Sequence, residues 1–158
     1  MTDQLSARSR LVHDALRAAG IPGEIVILPD SAATAPLAAA ALNVEVAAIA
    51  NSLLFWSDGA PLLVMTSGAH RVDVKALAER LGRTKIARAT PDQVREATGQ
   101  AIGGVAPTGH PQPVETVVDQ SLADQPILWA SAGTPHAVFP LTFDELVRLT
   151  AGSVQRVD

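Results

Sequence analysis

The sequence predicts an α/β protein of the α+β type, a mixed and mainly antiparallel sheet with helices around it. Three observations lead there. Short apolar runs of strand length recur along the chain, bounded by turn residues. One pair of them, Ser52–Trp56 and Pro61–Thr66, is separated by Ser57-Asp58-Gly59-Ala60, and Asp-Gly between such runs marks a hairpin. Capped amphipathic helices lie between the runs, but without the regular alternation of a doubly wound parallel sheet.

The elements follow in order. Residues 6–19 read as an amphipathic helix with Leu11, Ala15, Leu16 and Ala19 at helical spacing and Gly20 just past its end. Glu24–Leu28 is a strand after the turn Ile21-Pro22-Gly23. Thr34 caps the alanine-rich helix that Asn43 closes. Beyond the hairpin, a helix starts near Asp73 with Val74, Leu77, Ala78 and Leu81 on one face and Gly82 at its end. Lys85–Ala87 is a short strand. Thr90-Pro91-Asp92-Gln93 is a capping box opening a helix to about Thr98. Val114–Asp119 and Pro126–Ala130 are strands, Ser131-Ala132-Gly133 is a turn, and Ala137–Phe139 pairs at an edge. Thr142-Phe143-Asp144-Glu145 is a second capping box, opening a final helix that carries Leu146, Val147 and Leu149 and ends near Gly152.

A chain of 158 residues without repeat or linker is one domain, 1–158. With 47% hydrophobic residues, no Tyr and only five Phe and Trp together, its core is built from Ala, Val, Leu and Ile. The absence of cysteine excludes disulfides, thiol catalysis and thiolate metal sites. No signal core or membrane-length apolar run is present, so a soluble cytoplasmic protein is the expectation. Net charge is −4, against non-specific nucleic-acid binding. Yet seven of the twelve basic residues fall within 71–95: Arg71, Lys75, Arg80, Arg83, Lys85, Arg88 and Arg95. That segment is either a solvated helix face or a docking patch for a polyanion.

The stretch G-Q-A-I-G-G-V-A-P-T-G, Gly99–Gly109, is the candidate working loop. Four glycines and Pro107 give it bare amides between stiff ends, able to face a carbonyl, phosphate or oxyanion; a plain turn is the other reading. It is neither a P-loop nor a dinucleotide fingerprint. His13, His70, His110 and His136 have no ligand spacing, so no metal is expected. No G-x-S-x-G elbow occurs. Asp119 ends an apolar strand, where a carboxylate is either a general base or a structural acceptor of backbone N–H groups.

Taken in order, T-A-P-L-A-A-A-A-L-N-V, I-A-N-S-L-L-F-W, P-L-L-V-M-T-S-G-A-H-R-V-D, T-G-Q-A-I-G-G-V-A-P-T-G-H, V-V-D-Q-S-L and S-A-G-T-P-H resemble the YbaK/EbsC/ProX family. These are free-standing relatives of the prolyl-tRNA synthetase editing domain, and the resemblance covers about residues 24–150. It implies a barrel-like mixed sheet flanked by helices, no cofactor, and hydrolysis of the ester that joins a wrong, small amino acid to tRNA. Gly103, Gly104, Pro107 and Gly109 match the family loop that holds the aminoacyl carbonyl. Thr34 matches the threonine opening the alanine-rich helix, and Asp119 the aspartate ending a strand. Ser131, Gly133 and His136 match a turn bordering the pocket. Where studied members carry a lysine, this chain has Asn51, which keeps hydrogen bonding but cannot neutralise a phosphate.

The resemblance therefore implies a trans-acting aminoacyl-tRNA deacylase, with Asn51, Gly103, Gly104 and Asp119 as the catalytic set and Thr34, Pro107, Gly109, Ser131, Gly133 and His136 around the substrate. Arg83, Lys85 and Arg88 are the expected tRNA contacts, and an aminoacyl-tRNA synthetase is a further partner. The alternative is a module of the same fold that binds tRNA or nucleotide and has lost catalysis with the lysine.

Overall fold

The computed structural model describes residues 5–158; residues 1–4 of the expected domain lie outside the described part. The described residues form α1 (Ala7–Ala18), β1 (Val26–Ile27), α2 (Ala35–Leu42), β2 (Ala50–Ser57), β3 (Ala60–Ser67), α3 (Val74–Leu81), β4 (Ile86–Arg88) and α4 (Pro91–Thr98). β5 (Glu115–Asp119), β6 (Leu128–Ser131), β7 (Ala137–Leu141), α5 (Phe143–Thr150) and β8 (Ser153–Gln155) follow. The helix boundaries sit where the cap chemistry put them. Thr34, Asp73, Thr90 and Thr142 each accept a backbone N–H of the first turn, and both capping boxes close reciprocally. In α1 the buried face is Ser9, Val12 and Leu16, and Leu11, expected inside, is exposed. Packing rotates the helix because Ser9 Oγ donates to the Ala132 carbonyl at 2.7 Å.

The hairpin turn forms at Asp58 and Gly59, both at positive φ, which matches the twist of the flanking strands. Asp58 does more than turn. Its carboxylate accepts from Thr84 N and Lys85 N at 2.9 Å each, binding β4 to the hairpin. These two bonds, aided by Arg83, hold its pKa below the usual carboxylate value.

The strands make two sheets, ordered β1-β7-β6 and β4-β2-β3-β5-β8. β3–β5 and β5–β8 are parallel and the other pairings antiparallel. The expected mixed, mainly antiparallel sheet is present, but it does not close into a barrel. The sheets meet through one isolated parallel bridge, Ile49 to Trp129. β7, expected at an edge, is the middle strand of its sheet because Val26 and Ile27 cover its outer side. β8 was not legible: three residues with one apolar side chain carry no period, and the strand forms only by adding to β5.

β2 alternates its side chains between two cores. Leu54 and Trp56 face the main core, with Leu63, Met65, Phe139 and Leu146. Phe55 faces a second core under α3, with Leu62, Val64, Leu77 and Val117. A third cluster packs the alanines of α2 against Ile49 and Val138. Small side chains let α2 approach closely, and this sets up the opening between the sheets.

Candidate functional site

A cavity of ≈ 370 Å³ lies where the two sheets separate. β2 is paired along its whole length with β3, but its other edge meets β4 only at Phe55–Ser57 and β6 only at the Ile49–Trp129 bridge. The gap between those contacts is the mouth. One wall is small and apolar, from Ala32, Ala33, Ala35 and Ala38, with Ile49, Val138 and Trp129 beside it. The lining also includes the polar groups of Asn51, Ser52, Ser131 and Thr34, together with Gly103 and Arg88. Arg88 is the single charged residue on the wall among the described residues. Its guanidinium stands 5.8 Å from the centre of the Phe55 ring, a cation–π distance.

The glycine loop divides between two places. Ile102, Gly103 and Val105 line the cavity, so this part of the loop shares it with Asn51 as expected. Gly103 has φ +92°, a conformation costly for other residues, and a Cβ there would sit 3.2 Å from Ala33 Cβ. Gly104, expected to offer its amide, does not line the cavity. Its N–H already donates to the Ala101 carbonyl at 3.0 Å, and a Cβ would stand 2.6 Å from the Thr134 carbonyl carbon. It is a close-packing glycine. Pro107 is buried outside the cavity, and Gly109 lines a separate groove with Arg8, Leu11, Gln100 and His110.

Buried Gln100 pins the loop, a role sequence reading missed because a lone glutamine carries no signal. Its Oε1 accepts from Ala106 N at 2.8 Å and its Nε2 donates to the Thr108 carbonyl at 3.2 Å. His110 Nε2 bonds the Ala106 carbonyl at 2.8 Å. Burial lowers the His110 pKa and that carbonyl only partly opposes it, so the ring is neutral at pH 7 and donates.

Asp119 also stands off the cavity, and geometry gives the reason. Its side chain is 1% exposed and its oxygens are taken up. Oδ2 accepts from Ser67 N at 3.0 Å and meets His70 Nδ1 at 2.9 Å; Oδ1 accepts from Ser121 N and Ser121 Oγ at 2.9 and 2.8 Å. Burial alone would raise its pKa, but these bonds together hold it below the ordinary value. Serine, histidine and aspartate are thus together without the relay of a hydrolase triad. Ser121 Oγ gives its proton to Asp119 and lies near the same His70 nitrogen that Asp119 occupies. The cluster ties the ends of β3 and β5 to the turn after β5.

Of the other expected contacts, Ser131 and Thr34 reach the cavity, though the Thr34 hydroxyl also caps α2. Gly133 is buried against the backbone of Arg8, and His136 Nδ1 is 3.3 Å from the Leu28 carbonyl, both off the wall. The three expected tRNA cations also separate. Arg83 is committed to Glu115 and Ser57, and Lys85 is exposed at the hairpin end of β4. Arg88 alone reaches the cavity, about 10 Å further along the strand. Among the described residues no group of three or more His, Asp or Glu could hold a metal ion. No helix of the described part is long and apolar enough to cross a membrane.

Comparison with known proteins follows the same lines. The model of the aminoacyl-tRNA editing domain family matches residues 29–149. The chain is 31% identical over 125 residues to the uncharacterized protein YwhH of Bacillus subtilis strain 168, covering 78% of this chain and 79% of that one. It is 30% identical over 83 residues to the proline–tRNA ligase of Levilactobacillus brevis, a match spanning 52% of this chain and only 15% of the ligase. A crystal structure described as that of "a putative trans-editing enzyme for prolyl tRNA synthetase" superposes with a TM-score of 0.92 at 39% identity, over 98% of this chain and 99% of that one. With a family model that matches most of its length and a cavity built from the same segments, this chain belongs to the aminoacyl-tRNA editing domain family.

Proposed function

We propose that this protein is a trans-acting deacylase that hydrolyses the ester between a small amino acid and the 3′-terminal adenosine of tRNA, of the prolyl-tRNA editing type. The observation that carries the reading is the cavity between the sheets, with an alanine-rich lining suited to a small side chain and one cation, Arg88, among the described residues that line it. Among the described residues the cavity wall offers no carboxylate, histidine or lysine, so none of them supplies a general base or activated nucleophile there. Water is the nucleophile. Its oxygen bonds to the ester carbonyl carbon, the bond to the ribose oxygen breaks, and that oxygen takes up a proton. The adjacent ribose hydroxyl is positioned to relay it. Backbone N–H groups at the wall, those of Gly103 and Val105 on the loop side, face the carbonyl as charge develops on its oxygen. Catalysis is then orientation and oxyanion stabilisation.

Arg88 takes over the attraction for the terminal phosphate that Asn51 cannot supply, and Asn51 holds a ribose hydroxyl. Asp119, Gly104, Gly109, Gly133 and His136 serve the frame of the site. A synthetase is the expected supplier of the mischarged tRNA. The test is incubation of the pure protein with a panel of mischarged tRNAs, following release of the amino acid. Faster release from at least one small aminoacyl-tRNA than in buffer is the expected result. Tight binding with no release from any member would favour the alternative, a tRNA-binding module in which Asn51 marks lost catalysis.

A further inference from the structure

On the edge of β2 that faces away from β3, one cavity-lining residue belongs to no ladder. In an antiparallel pair, successive residues point their N–H and C=O groups to opposite edges. Ile49 accepts from Gly68 N at 2.8 Å, so residues 49, 51 and 53 address β3. Leu54 accepts from Ala89 N at 3.2 Å, so residues 50, 52 and 54 address the other edge. On that edge Leu54 meets the residue after β4, and the Trp129 bridge covers the Ile49 end. Ser52 lies between them and lines the cavity, and the β4 ladder and the β6 bridge both stop short of it.

A strand residue in this state offers one donor and one acceptor about a peptide's width apart. The complementary group is another residue, whose own C=O and N–H flank a single Cα. An aminoacyl ester is such a residue, with a carbonyl on one side of Cα and an ammonium on the other. We infer that Ser52 binds the aminoacyl group as a one-residue β-strand, its N–H donating to the ester carbonyl and its C=O accepting from the α-ammonium. This adds a second oxyanion donor to those of the glycine loop, and gives the site a preference for α-amino esters over simple acyl esters. It rests on the cavity being the aminoacyl site of the proposed deacylase. The Ser52 hydroxyl is not part of it, being directed to Met65 Sδ at 3.2 Å.

Ser52→Pro is the discriminating variant. Proline removes only the N–H that faces the open edge and leaves the β3 ladder intact. Ser52→Ala removes the hydroxyl and keeps the N–H. Deacylation by Ser52→Pro should fall about 10²-fold with tRNA affinity unchanged, as for loss of one oxyanion donor, and should fall far less in Ser52→Ala, which keeps the N–H. Equal rates for wild type and a folded Ser52→Pro would overturn the inference.

A binding arm decides independently of turnover. The stable amide 3′-alanylamino-3′-deoxyadenosine, added to ¹⁵N-labelled wild type, should shift the Ser52 amide downfield and slow its hydrogen exchange. The propionylamino analogue, lacking the ammonium, should bind at least ten-fold more weakly. A silent Ser52 amide or equal affinities would reject the inference, even if Ser52→Pro fails to fold. If wild type releases no amino acid from any tRNA, the proposed function fails, while this arm still decides whether Ser52 pairs with an aminoacyl group.

Discussion

Two polar regions of this molecule differ in what is left over after their internal hydrogen bonds are made. Around Asp119 every carboxylate oxygen is used: Ser67, Ser121 and His70 converge on it, and the group is shut from solvent. At the cavity wall, Ser52 faces an open edge, and Arg88 has only the Phe55 ring as a partner among the described contacts. The first region looks more like an active site by residue type, with its Ser, His and Asp. The second has the properties of one, because groups that are already paired cannot bind a ligand without losing what they hold. Residue identity alone does not separate the two regions; the state of their hydrogen-bonding groups does.

The sharpest way to break the comparison is Asp119→Ala. It strands the Ser67 and Ser121 N–H groups, and a loss of about 3 kcal/mol is expected in denaturant unfolding. Deacylation per folded molecule should be unchanged; a specific loss of rate would return Asp119 to the chemistry. Gly104→Ala comes next, because its Cβ would meet the Thr134–Pro135 backbone. About 2 kcal/mol of destabilisation is expected by calorimetry, with the loop displaced rather than an amide lost.

On the open side, Arg88→Ala should weaken tRNA binding several-fold and lower the magnitude of the log–log salt slope by about 0.7, one phosphate contact on a single strand. Arg83→Ala should leave that slope unchanged because Arg83 is committed to Glu115, and Asn51→Lys should steepen it. Titration at several salt concentrations reads all three. An equal effect of Arg83 and Arg88 would mean a diffuse surface patch instead of a cavity contact.

The smallest expected effect concerns His110. Its folded pKa is depressed below 6.5, so the unfolded chain binds the proton more readily. Its contribution to stability is full above about pH 6.5 and is lost as pH falls through the folded value. His110→Gln should flatten that part of the stability–pH curve. The Asp119 pKa is depressed below 3.8, so its share is lost only at still lower pH, as the carboxylate protonates.

The fold was legible wherever the deciding interaction is local. Thr34, Asp73, Thr90 and Thr142 cap helices through bonds to residues three positions on, and Asp58-Gly59 turns a hairpin through its own dihedrals. The site was legible in part. Gly103, Asn51, Thr34, Ser131 and Arg88 do meet at one cavity, but Gly104, Pro107, Gly109, Asp119, Gly133 and His136 do not line it. These six differ from the first five in nothing that spacing or composition records. Gly103 and Gly104 are adjacent and chemically identical, yet Ala33 faces one and Thr134 presses on the other.

What the sequence by itself determined is the alphabet of this protein: its capped helices, its hairpin, its alanine-rich wall and its family segments, all set by neighbours a few residues apart. Only the tertiary structure decided which of those groups remain free. That depends on how far two sheets separate, where β4 stops pairing with β2, and which carbonyl lies across from an amide. Each is a contact between distant segments, and hydrogen bonds made across such distances are not encoded in any single stretch of chain.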